Sequence, residues 1–139
     1  MREILFRGKT YDGKWVIGDF EHFHLSDEEL VVYINKWGEK IDRVIPDTVG
    51  QYTGLTDKNG KKIFEGDIIS ERPPMNTIAY IGYVAYDDEA ALYRFMINND
   101  TKFNGVLLGT YSRSYTVIGN IHDNPELLKG DNNDKNNNL

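Results

Sequence analysis

The sequence predicts a mainly β protein: a small N-terminal β lobe, then a compact small barrel of SH3-like type, ending in one short C-terminal helical turn. Three observations carry this reading. Short runs of residues alternate at period two, the pattern of strands with two distinct faces. Turn residues separate these runs at regular intervals, among them the Asp-Gly and Asn-Gly pairs that favour tight hairpins. Aromatic residues are abundant, with nine tyrosines in 139 residues, and tyrosine suits a half-buried pleated surface.

The strands follow in order. Trp15 to Ile17, Phe20 to Leu25, Leu30 to Lys36 and Ile41 to Ile45 are the N-terminal candidates, with Trp37-Gly38 turning the last two into a hairpin. Ser26-Asp27-Glu28-Glu29 has the form of a capping box, which would start a short helix. The run behind it, Leu30-Val31-Val32-Tyr33-Ile34, is β-branched and aromatic, which favours a strand after a tight turn. Pro46-Asp47 marks a boundary between two lobes. Residues 1–46 are therefore expected to form the N-terminal lobe and residues 47–129 the hairpin, barrel and helical turn. Residues 130–139, rich in asparagine, have almost nothing to bury and read as a disordered tail.

Within the second lobe, Asp67 to Ile121 should form a barrel of about five short strands. From Thr77 to Tyr86 both alternating faces are largely apolar, so this strand is expected to be covered on both sides. Asp87-Asp88-Glu89 turns it into a hairpin with Leu92 to Ile97. Val106 to Gly109 and Tyr115 to Ile121 complete the set. Asn124 as N-cap, Pro125 at the first helical position and Glu126 at the positive end of the dipole predict the helical turn, with Leu127 and Leu128 packing it onto the sheet.

The segment Gln51 to Ile69 demands the most specific backbone geometry. Asn59-Gly60 predicts a hairpin turn, and Gly66-Asp67 restarts the chain, with the Asp67 carboxylate accepting a backbone N–H as in an Asx turn. Asp12 to Phe20 echoes Asn59 to Ile68, and two hairpins with the same turn chemistry explain the echo.

Composition excludes several classes. The absence of cysteine removes thiolate nucleophiles, Cys-ligated zinc and iron–sulfur clusters. The apolar run at the N-terminus is too short for a signal peptide, and no stretch approaches a membrane span, so a soluble cytoplasmic protein with no membrane partner is expected. No phosphate-binding glycine loop and no Gly-x-Ser-x-Gly elbow occur. The acidic groups Glu28-Glu29, Asp87-Asp88-Glu89 and Glu65 with Asp67 lack the separated environments that acid–base chemistry needs. No catalytic constellation emerges, and no cofactor is expected.

The residues offer two candidate sites and one interaction mode. His22 and His24 lie two apart on a predicted strand and point the same way, so both could reach one metal ion. Asp19, Asp27, Glu28 or His122 would have to complete the shell, and the spacing does not secure that; two exposed histidines beside an acidic turn is the ordinary account. For nucleic acid, Arg72, Arg94, Lys102 and Arg113 with Tyr80, Tyr83 or Tyr93 would supply cations and stacking rings, and Lys58, Lys61 and Lys62 crowd the hairpin tip. The net charge of −6 argues against that use. Interaction with a host or phage protein, or with further copies of the chain, is the third mode: Trp15 and Trp37 flank turns, and aromatic area dominates interfaces.

Three blocks carry a family resemblance: Met1-Arg-Glu-Ile-Leu-Phe-Arg7, Val49 through Ile69, and Tyr115-Thr-Val-Ile-Gly-Asn-Ile-His-Asp-Asn-Pro-Glu-Leu-Leu128. In this order they resemble the YopX-like family of bacteriophage and prophage proteins. The resemblance implies a mostly β fold with a small barrel-like part, a phage or prophage origin, a bacterial host cell as the setting, and a homo-oligomer. It implies no activity and no catalytic residues, because the family is one of unknown function. The sequence expectation is thus a non-enzymatic, homo-oligomeric binding module, with a nucleic-acid-binding module as the alternative.

Overall fold

The computed structural model describes residues 2–72, 79–97, 105–107 and 109–129. The chain divides into two compact units, Met1–Gly54 and Leu55–Leu139. Pro46, read as a lobe boundary, opens a 3-10 turn, Pro46–Thr48. The strand after it carries the chain from one unit into the other.

The first unit contains β1 (Phe6–Lys9), β2 (Trp15–His24), β3 (Leu30–Lys36), β4 (Lys40–Val44) and the start of β5 (Gly50–Thr56). Neighbours are antiparallel in the order β4-β3-β2-β1-β5. The sheet curls, so that the end of β4 meets the end of β1 through a single bridge, Thr10 to Val44. The Ile45 N–H also donates to the Lys9 carbonyl at 2.8 Å. Inside the curl Val32, Ile34 and Val44 are buried, with Phe6, Val16, Phe20 and Val49 packed on them.

Trp37 (φ 47°) and Gly38 (φ 80°) are both left-handed, the backbone of a primed turn, closed by the Glu39 N–H on the Lys36 carbonyl at 2.9 Å within a three-residue loop between the paired Lys36 and Lys40. Ser26 to Glu29 forms a tight turn, closed by the Leu25 N–H on the Glu29 carbonyl at 3.0 Å, and a strand follows it. One difference is instructive. Trp15 to Ile17 and Phe20 to Leu25 merge into a single ten-residue strand, because Gly18 is no breaker. A Cβ at Gly18 would run into the Asn35 carbonyl oxygen. Glycine is there for the close approach of another backbone, at the point where β2 stops pairing with β1 and starts pairing with β3.

The second unit contains the end of β5, β6 (Lys62–Phe64), β7 (Asp67–Glu71), β8 (Tyr80–Asp87), β9 (Leu92–Met96), β10 (Gly105–Val106), a 3-10 segment Gly109–Ser114 and β11 (Tyr115–Asn120). The last five strands form an antiparallel sheet in the order β10-β9-β8-β7-β11. Its core is Ile63, Ile69, Val84, Phe95, Leu107 and Tyr115, flanked by Leu55, Tyr93, Ile97 and Val117. The β8–β9 hairpin forms as expected, with Asp87 opposite Leu92 and Tyr83 opposite Met96. The compact small β domain expected here forms, but not as a closed barrel among the described residues: β10 and β11 end the sheet on opposite sides. The expected strand Val106 to Gly109 contracts to Gly105–Val106, and the chain passes at Gly109 into the 3-10 segment. Residues 126–129 make the helical turn. Lys102 and the tail at 130–139 lie outside the described residues. Among those described, no helix is long and apolar enough to cross a membrane.

Candidate functional site

The Gln51–Ile69 segment is a structural lock. Asp57, 5% exposed, receives three backbone N–H groups. Those of Asn59 (2.8 Å) and Lys61 (2.9 Å) reach Oδ1, and that of Val117 (3.0 Å) reaches Oδ2. The Lys58 N–H donates to the Tyr115 carbonyl at 3.0 Å. The hairpin tip therefore covers the outer edge of β11 with a carboxylate and a peptide group, which satisfies an edge that would otherwise be open. Burial opposes ionisation of Asp57, but the three N–H donors outweigh it and hold its carboxyl below the usual carboxylate range. Sequence reading weighted Asn59 and Gly60 and passed over Asp57, although an aspartate two residues ahead of Asn-Gly is itself an Asx-turn signal. Asp67 does as expected: it is 1% exposed and its Oδ2 accepts the Phe64 N–H at 2.8 Å.

The internal echo has the same explanation. Thr10 N–H meets the Lys14 carbonyl, as Asp57 N–H meets that of Lys61, both at 2.8 Å. The Thr10 hydroxyl accepts the Lys14 N–H (2.9 Å) as the Asp57 carboxylate accepts that of Lys61. These are two hairpins with one turn chemistry. The likeness ends there: Gly66 has φ +87° in the turn before β7, whereas Gly18 lies within a strand.

Among the described residues, Arg94, Tyr83 and Tyr93 do not form one cationic stacking surface. Arg94 is tied to Asp87 through Nε–Oδ2 at 2.6 Å, and Asp87 Oδ1 also takes the Glu89 and Ala90 N–H groups. The Arg94 bond, followed by the Ala90 amide, holds the Asp87 carboxyl low. Strand alternation separates the tyrosines. Tyr83 shares a face with Arg94 and Met96, whereas Tyr93 lies opposite Tyr86 on the other face, packed against the core. Arg72, Arg113 and the tip lysines 58, 61 and 62 are exposed. The cleft at the end of this hairpin, about 620 Å³, is lined by the paired Asp87 and Arg94 with Asp88 and Glu89. That is turn chemistry, with no second carboxylate held in a separate environment.

His22 and His24 are both exposed. The His22 ring stacks on Phe20, 5.0 Å between centroids. Among the described residues, no group of three or more histidine, aspartate or glutamate side chains could hold a metal ion.

A different surface stands out around these histidines. Residues 21–30 are exposed without interruption. They include Phe23 (47% exposed), Leu25 (61%) and Leu30 (38%), and Trp37 (62%) and Ile41 (57%) follow in the same unit. Phe23 stacks on Tyr33 at 5.6 Å. Trp15 is held under the Arg7 guanidinium, 4.8 Å from its centroid, so of the two tryptophans it is Trp37 that presents its ring to solvent. Asp19, Glu21, Asp27, Glu28 and Glu29 line the same stretch, with no lysine or arginine among them. Glu21 accepts from Asn35 (3.2 Å), and Glu29 pairs with Arg43 (3.4 Å).

Comparison with known proteins places the chain. No curated protein matches it. Among solved structures it is similar to protein EF1440 from Enterococcus faecalis, with 27% sequence identity over 92% of this chain and 99% of that one and a TM-score of 0.51. The YopX protein family model matches residues 5–129, a span that takes in all three blocks of resemblance apart from the first four residues, and the chain therefore belongs to the YopX family.

Proposed function

We propose that this protein is a non-enzymatic phage or prophage accessory protein that acts in the bacterial host cytoplasm as a binding module and assembles with copies of itself. One observation carries the reading: Phe23, Leu25, Trp37 and Ile41 of the first unit are each about half exposed or more. Exposed large apolar side chains beside carboxylates suit an interaction surface, and aromatic residues supply most of the energy of such a surface. In the second unit Asp57, Asp67 and Asp87 accept backbone N–H groups of turns and edges, and on this reading their roles are structural.

The test is mass in solution by light scattering at micromolar concentration, for the wild type and for Trp37→Ser with Ile41→Ser. An oligomer that the double variant disperses supports the proposal; a monomeric wild type sinks its self-association. Binding to single- or double-stranded nucleic acid at low salt, with a steep salt dependence, would replace it with the nucleic-acid reading.

A further inference from the structure

β2 is longer than the strand beside it. β1 pairs with β2 from Trp15 to Gly18 and then leaves, while β3 covers the opposite edge from Asp19 to His24. From Asp19 to His24 one edge of β2 thus has no strand beside it among the described residues. An edge of this kind presents a row of backbone donors and acceptors. Six residues at about 3.3 Å each make an edge of roughly 20 Å, enough for a short extended segment.

The side chains along the edge define what would fit. Asp19, Glu21 and Phe23 point to one face; Phe20, His22 and His24 point to the other. The turn beyond adds Asp27, Glu28 and Glu29. Residues directly opposite one another on paired strands share a face and interact. A strand laid along this edge therefore wants cations opposite Asp19 and Glu21, and apolar or aromatic residues opposite Phe20 and the stacked His22.

We propose that the Asp19–His24 edge binds an extended segment of another protein in which basic and apolar residues alternate, adding it to the sheet as a further strand. The backbone ladder supplies affinity and the alternating side chains supply selectivity. A second copy of this chain suits the edge poorly, because its own Asp19–His24 stretch carries no lysine or arginine to set opposite Asp19 and Glu21. The inference rests on the reading of the protein as a binding module and names one surface and one partner chemistry for it.

The test is hydrogen exchange of the full chain with three capped peptides as long as the edge. One alternates arginine with valine, the second is the same peptide with proline at its central valine, and the third alternates glutamate with valine. The arginine peptide should slow exchange across residues 19–24 about tenfold or more at saturation. The proline peptide should fail because it cannot complete the ladder, and the glutamate peptide should fail by repulsion. Asp19→Lys with Glu21→Lys should weaken the arginine peptide about tenfold while leaving the melting temperature near that of the wild type. Absence of protection at 19–24, or equal protection by the proline or glutamate peptide, overturns the proposal. So does slow exchange there in the free protein that deepens with concentration, since a second copy would then hold the edge. Solution mass, read on the same samples, separates this outcome from a failure of self-association: a monomer that binds the peptide keeps the edge, and an oligomer that does not bind it loses the edge.

Discussion

Replacement of Asp57 tests the lock directly. In Asp57→Ala the Val117 N–H on β11 loses its partner, and a partly buried orphan of this kind costs about 1–3 kcal/mol. The Asn59 and Lys61 N–H groups sit at an exposed tip and recover water, so their loss resembles that of a helix cap, about 1 kcal/mol together. The sum, about 3 kcal/mol, is a large part of the roughly 5–15 kcal/mol that holds a domain together. Asp57→Asn separates the contributions. Its single carbonyl oxygen can still serve Asn59 and Lys61, but its NH2 then faces the Val117 N–H, donor against donor, for about 2 kcal/mol. The assay is urea unfolding followed by tryptophan fluorescence, with hydrogen exchange at Val117 as a local reporter. The pH dependence has a definite sign. The folded carboxyl titrates below its unfolded value, so the stabilisation is complete above the unfolded pKa, about 3.9, and is lost as pH falls through the lowered folded value. The gap between wild type and Asp57→Asn should be flat at neutral pH and shrink below about pH 4. An Ala variant within about 0.5 kcal/mol of wild type, or a gap that widens in acid, would refute the reasoning.

Three further outcomes are expected. Gly60→Val should lower stability by about 1–2 kcal/mol, because φ is +82° there and a β-branched residue resists that region; unchanged urea midpoints would show that the turn adopts another geometry. Gly18→Ala should cost about 3 kcal/mol by overpacking, since the new Cβ meets the backbone carbonyl of Asn35 and no rotamer relieves it; a wild-type melting temperature would show that β2 and β3 are farther apart. Glu71→Gln should raise the melting temperature near pH 7. Burial pushes the Glu71 carboxyl up, so the folded state binds the proton more tightly and stability falls as pH rises from the unfolded pKa through the folded one. The gain should vanish at about pH 3, where both states are protonated; a gain that persists there points to packing instead.

Local chemistry was legible wherever one short segment decides the outcome. Asn59-Gly60, Gly66-Asp67 and the glycine of Trp37-Gly38 each act within a few residues, and each glycine takes the positive φ that its missing Cβ allows. The β8–β9 hairpin was equally plain, because alternation and an acidic turn are local signals. The three blocks also carried the family.

What only the tertiary structure decided depends on partners far apart in sequence. The third donor to Asp57 comes from Val117, sixty positions away, and nothing near Asp57 announces it. Gly18 reads as punctuation until Asn35 is seen against it. That β10 and β11 end the sheet on opposite sides, where a small barrel was expected, follows from strand order, and alternation specifies faces without specifying neighbours. The same holds for the candidate surface. The acidic and aromatic residues from Asp19 to Leu30 can be read directly in the chain, but they become a binding edge only because β1 departs at Gly18 while β2 continues to His24. Where a strand loses its neighbour is set by the pairing of whole strands, and that is a property of the assembled sheet.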